Sequence, residues 1–176
     1  MKKLLLSLLI SFSTVVLAET PKGFFGIELL KNAKQYLTDA QLAGKTKNTE
    51  TIGGYYDISI KPPEINPYFE DYFLTVNDRN FIHDIIGQKY HSDIQVCFRE
   101  VKTIRNVLEE KYNFKFFETE MTNPDFKTYL NYIYFSSGDY LTVQCNEYTN
   151  GDVYGALSFR HHKKTNAVNK FYDSGF

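Results

Sequence analysis

Apolar positions recur along this chain in two different periods, and the switches between them mark out its elements. The clearest helical period runs from Ser92 to about Tyr112, where Ile94, Cys97, Val101, Ile104 and Leu108 return at intervals of three or four. That spacing places all five on one stripe. Arg99, Lys102, Arg105, Glu109 and Lys111 flank it, which predicts an amphipathic helix laid against a sheet. Ser92 and Gln95 read as a capping box at its start. A shorter helix is expected after Asn32, with Gln35 as the reciprocal cap partner, Ala33, Tyr36, Leu37 and Ala40 on one face, and Gly44 at its end.

The remainder alternates with the two-residue period of strands. After an extended start at Phe24–Ile27 and a polar connector over Lys45–Gly54, the run Tyr55–Lys61 is stopped by Pro62-Pro63, which cannot donate to a ladder. Phe69–Val76 and Phe81–Tyr90 flank Asn77-Asp78-Arg79-Asn80, whose side chains suit a turn, and Tyr72, Leu74 and Val76 alternate onto one face. Tyr129–Phe135, Tyr140–Tyr148 and Val153–His161 form a meander, its last connection holding the hairpin signal Asn150-Gly151. This order predicts an α+β fold: an antiparallel sheet of about five to six strands in hairpins, packed on one face by the long helix (about 92–112), with a short N-terminal helix. A single domain is expected over 19–161, followed by a polar tail at 162–176. The long capped helix and the charged, irregular middle argue against an eight-stranded membrane barrel.

The first residues carry a different signal. Met1-Lys2-Lys3 precedes an apolar run from Leu4 to Leu17, and Val16-Leu17-Ala18 offers compact residues for cleavage. That order reads as a cleaved secretory signal peptide over 1–18, with the bond between Ala18 and Glu19 broken. The run is shorter than a bilayer span, so no membrane span is expected after cleavage, and no cysteine follows to take a lipid. A periplasmic or secreted bacterial protein is therefore expected. Export carries the only two cysteines, Cys97 and Cys145, into an oxidising compartment. Each lies on the apolar face of its own element, so a disulfide between them is expected to tie helix to sheet, worth about 4 kcal/mol in the chain-entropy picture.

Composition narrows the function. The 176 residues include 43% apolar and 16% aromatic side chains, enough for one packed core and too many for a disordered chain. Twenty basic against 21 acidic side chains leave a formal charge of −1, which argues against a nucleic-acid partner. His83, His91, His161 and His162 have no metal-ligand spacing, and no nucleophile elbow, phosphate loop or dinucleotide fingerprint is present, so neither a metal nor a cofactor is expected. His161 and His162 read with Lys163 and Lys164 as a solvated basic end. On a regular strand His83 and Asp84 diverge to opposite faces, and Glu118 and Glu120 share one.

The most distinctive pattern lies on the C-terminal meander. If Leu141, Val143 and Cys145 point inward, then Tyr140, Thr142, Gln144 and Asn146 point outward, joined by Tyr132, Tyr134, Tyr154, Ser158 and Arg160. Tyr132, Tyr134, Tyr140, Gln144, Tyr154 and Arg160 form the candidate ligand-binding set, because tyrosine joins apolar area to a polar tip. The competing reading is that the N-terminal helix or the tail covers this face. The function expected is a non-catalytic binding module for an envelope protein, peptide or glycan. The alternative is a small periplasmic hydrolase assembled from distant groups such as His83, His91 and a carboxylate. A flat aromatic face favours the first, and a pocket with convergent histidine and carboxylate groups the second.

Overall fold

The computed structural model describes residues 20–47 and 54–161. The expected signal segment, its Ala18–Glu19 bond, His162 and the tail lie outside these. The chain runs β1 (Gly23–Phe24), β2 (Ile27–Glu28), a 3-10 turn (Ala33–Gln35), α1 (Asp39–Ala43), β3 (Thr46–Lys47), β4 (Tyr55–Ile60), β5 (Asp71–Asn77), β6 (Ile82–His91), α2 (Ile94–Tyr112), β7 (Phe117–Thr122), β8 (Phe126–Tyr134), β9 (Asp139–Tyr148) and β10 (Val153–His161). The fold is α+β. One antiparallel sheet of eight strands has the order β3-β4-β5-β6-β10-β9-β8-β7, and β1 and β2 pair separately. From β6 the chain crosses by α2 to the far edge and returns strand by strand until β10 closes against β6. The sheet is wider than its apolar alternation predicts because its two edge strands, β3 and β7, are exposed throughout.

The inner face is the core. Tyr72, Leu74 and Val76 of β5, Ile85 of β6, Leu141, Val143 and Cys145 of β9, and Leu157 and Phe159 of β10 are all buried there. Helix α2 turns Cys97, Val101 and Leu108 onto them, as its stripe predicts. Cys97 and Cys145 are joined by a disulfide with Cα atoms 6.1 Å apart. Close approach is made possible by Gly155, where a Cβ would lie 2.6 Å from His91 Nε2 and 3.3 Å from Cys97 Sγ. The N-terminal segment fills the rest of this face. Its β1–β2 hairpin turns through Phe25 and Gly26, both at positive φ (59° and 75°) as a type I′ turn requires. The turn drops the Phe25 ring against Phe69 and Tyr72, above Gly87.

Two helix starts differ from the pattern. Asp93, not Ser92, caps α2: its carboxylate accepts from Gln95 N (2.8 Å) and Val96 N (3.0 Å). A carboxylate at the positive end of the helix dipole is a stronger acceptor than a hydroxyl, and β6 runs on to His91, so the turn into the helix falls one residue later. The expected single short helix is divided. Asn32 caps only the 3-10 turn, and a separate capping box of Thr38 and Gln41 starts α1, which ends at Gly44. The box restarts the helix, so Ala33 and Leu37 are buried while Ala40 is exposed.

At the other end of α2, Asn113 takes the left-handed conformation and the chain doubles back. Glu109 is buried there, accepting from Arg105 Nε (3.2 Å), Lys115 Nζ (2.8 Å) and Phe116 N (2.9 Å). Arg105 also pairs with Glu118, and Lys127 with Glu120 (2.9 Å), so both acids of β7 share the inner side and are answered by cations there.

Candidate functional site

The disposition of the inner face leaves the opposite one without a covering element among the described residues. Helix α2, the β1–β2 hairpin and α1 all pack on the inner side, through contacts such as Phe24 with Phe159 and Lys45 with Tyr56. The N-terminal helix therefore does not cover the candidate face.

Pairing registers place all six candidate residues on this outer face: Tyr132 opposite Thr142, Tyr134 opposite Tyr140, Gln144 opposite Ala156, Tyr154 opposite Asn146, and Arg160 opposite Tyr140. They do not form one cluster. At one end, ring centroids step from Phe117 to Tyr132 (5.8 Å), to Tyr134 (5.8 Å), to Tyr140 (5.5 Å), and the Arg160 guanidinium lies 5.6 Å from the Tyr140 ring centre. At the other end, Tyr154 meets Tyr90 (5.5 Å) and Tyr148 (5.9 Å), and Tyr148 meets Phe126 (5.4 Å). Tyr140 and Tyr148 mark the two ends on one strand, roughly 27 Å apart at strand rise. Between them lies a strip of shorter polar side chains. Asn146 Oδ1 accepts from Thr128 Oγ1 (2.8 Å) and Gln144 Nε2 (3.2 Å), which fixes the orientation of the strip.

The electrostatic anchor of this face is Asp84, 1% exposed on β6. It accepts from Ser158 Oγ (2.7 Å) and Arg160 Nε (2.7 Å), and Arg160 Nη2 closes a second bond to the same carboxylate. A buried charge needs such pairing to be tolerated. The pair fixes the guanidinium over Tyr140, so the cation–π contact is preorganised.

His83 corrects an expectation. In place of regular pairing, Thr75 opposes Asp84 and Val76 opposes Ile82, leaving His83 as the extra residue of a β-bulge. The bulge brings His83 to the same side as Asp84, where its ring packs on Tyr55 (5.0 Å) and its Nε2 lies 3.3 Å from Asn77 Nδ2. Asn77 Oδ1 is occupied by the N–H groups of Arg79 and Phe81 (both 3.0 Å), so the amide must turn its NH2 toward His83. His83 Nε2 is then the acceptor, and the ring proton sits on Nδ1.

His161 is not part of a solvated basic end. Its ring stands 6.0 Å from that of His83, and its Nδ1 donates to Asp139 Oδ1 (2.6 Å), whose other oxygen accepts from Ser137 Oγ (2.7 Å). Both imidazoles line a cleft of about 570 Å³, together with Leu30, Asn77, Asp78, Arg79 and Phe81. His91 lies elsewhere. It is buried on the inner face beside Gly155 and Cys97, where burial pushes its pKa down. Eight residues of strand, roughly 26 Å, and the sheet itself separate it from His83. The His83–His91 site is not assembled.

The residues that sequence reasoning missed divide by cause. Tyr148 follows from the same alternation that names Tyr140 and Gln144. Phe117 needs strand β7, and the meeting of Asp84 with Arg160 needs the long-range pairing of β6 with β10. No three His, Cys, Asp or Glu side chains group as a metal site, and no helix is long and apolar enough to cross a membrane, among the described residues. In comparisons with known proteins, no family model, curated protein or solved structure matches the chain.

Proposed function

We propose that this is an exported, non-catalytic binding module of the bacterial envelope or medium, which takes a protein segment, peptide or glycan across its outer sheet face. The observation that supports this reading is the division of that face into two tyrosine clusters flanking a low polar strip. Tyrosine rings offer large contact area at small entropic cost, and the half-buried Gln144 and Asn146 amides between them are the groups placed to supply directional hydrogen bonds. Both cysteines are in the disulfide, so neither thiol is available as a nucleophile.

Native mass spectrometry of the protein recovered gently from its host tests the reading, set beside a Tyr134→Ser/Tyr154→Ser variant. The wild type is expected to carry a stoichiometric partner mass that the variant loses while keeping its melting temperature. A bare wild-type monomer, or a variant that retains the mass, overturns it.

A further inference from the structure

The charge pattern of the outer face bears on the chemistry of its ligand, an inference that rests on that face being the binding surface. Along β7 to β10 its alternating positions hold one charged side chain among the described residues, Arg160, and that charge is met by Asp84. Glu118, Glu120, Lys127 and Glu147 of the same strands take the inner side. Solvent-facing surfaces usually carry charge at about 25–35% of their positions. A face without that charge favours an uncharged partner, and it gives nucleic acids, anionic glycans and lipid headgroups nothing to pair with. The order of groups along the face then separates a glycan from a protein surface. A protein interface has an apolar core inside a polar rim. Here aromatic clusters hold the two ends, with Phe117 64% and Tyr90 49% exposed, and amides hold the middle. Asn146 Oδ1 already accepts from Thr128 and Gln144, which leaves the Asn146 NH2 group and the Gln144 carbonyl oxygen, a donor beside an acceptor. A sugar hydroxyl donates and accepts at once, and the C–H face of a sugar ring packs on the apolar area of an aromatic one.

We propose that this face binds a neutral oligosaccharide laid along β9, with sugar rings on the tyrosine clusters at its two ends and hydroxyls on Gln144 and Asn146 between them. The clusters stand roughly 27 Å apart at strand rise, so the ligand is a chain of several sugars, and a disaccharide reaches one cluster only.

The test titrates the full chain with cellohexaose, maltohexaose and the hexamer of N-acetylglucosamine, and with the matching disaccharides. Heat and tyrosine fluorescence are followed, the latter undisturbed because the chain has no tryptophan. At least one hexasaccharide is expected to bind, at least about tenfold more tightly than its disaccharide and with the same Kd at low and high salt. Gln144→Leu keeps the strand and removes the amide, so it is expected to weaken that hexasaccharide about tenfold at an unchanged melting temperature. Tyr90→Ser, at an exposed position, weakens it without touching the amide strip. The proposal is overturned if no hexasaccharide binds at about 10 mM, if hexasaccharide and disaccharide bind alike, if affinity falls as salt rises, or if neither substitution weakens binding. Its failure is distinguishable from that of the binding face itself. A polypeptide or a second copy of this chain, recovered in native mass spectrometry and lost from the Tyr134→Ser/Tyr154→Ser variant, removes the oligosaccharide and keeps the face. A hexasaccharide that this variant holds as tightly as the wild type does sits elsewhere on the molecule and removes both.

Discussion

Glu109 shows how a single side chain closes the helix onto the sheet. Burial pushes its carboxyl pKa up, but the bonds from Lys115, the Phe116 N–H and Arg105 outweigh that and hold it below the usual carboxylate range. A carboxyl depressed in the folded state contributes stability that is complete above its unfolded value of about 4.3 and is lost as pH falls through the folded value. Glu109→Gln is therefore expected to cost about 1–3 kcal/mol at pH 7, because it removes a buried, charge-assisted acceptor. Urea denaturation at pH 7 and again below pH 4 checks this. The gap between wild type and variant should narrow at the lower pH, and a gap independent of pH would mean that packing alone is lost. From the sequence, Glu109 reads as a charge flanking the apolar stripe. Its burial depends on Asn113 reversing the chain so that Lys115 and Phe116 return over it. Helical spacing does not contain that information.

Among the elements, α2 is bound to the sheet both by packing and by a covalent bond. The disulfide fixes the first turns of α2 to the middle of β9, closing a long stretch of chain that includes β7 and β8. Replacing both cysteines by alanine is expected to lower unfolding free energy by about 4 kcal/mol, mostly through the added entropy of the unfolded chain. Denaturant titration gives the size of the loss, and hydrogen exchange its place, with amides of α2 losing protection before those of β9 and β10. This cross-link, the helix and the central strands are legible in the sequence because each buries one face, and burial writes a period. Strand β7 is not legible for the same reason. Phe117–Thr122 is exposed along its whole length, and its inner-side acids are satisfied by Arg105 and Lys127 instead of by apolar neighbours. The bulge at His83 escapes too. One inserted residue breaks the rule of alternation that would place it, and only pairing with β5 reveals the break.

On the scale of the whole molecule, the outer face is long enough for its two ends to act independently. Tyr134, 58% exposed, belongs to the cluster beside Arg160, and Tyr154 to the cluster around Tyr148, with about six residues of β9, roughly 20 Å, between their register positions. Substitutions that far apart without a shared partner add in free energy to within a few tenths of a kcal/mol. A partner that spans the face must then lose affinity at each end separately. Tyr134→Ser and Tyr154→Ser are each expected to weaken it by about 1–2 kcal/mol, and the double variant by their sum. A partner that engages only one end leaves one of the two substitutions silent, and a partner seated only in the cleft ignores both. Titration of the two single variants and the double variant against the recovered partner separates these cases. Additive losses from both ends assign an extended ligand to the full width of the sheet, a silent Tyr154→Ser confines it to the Arg160 end, and two silent substitutions remove the tyrosine face from the account of binding.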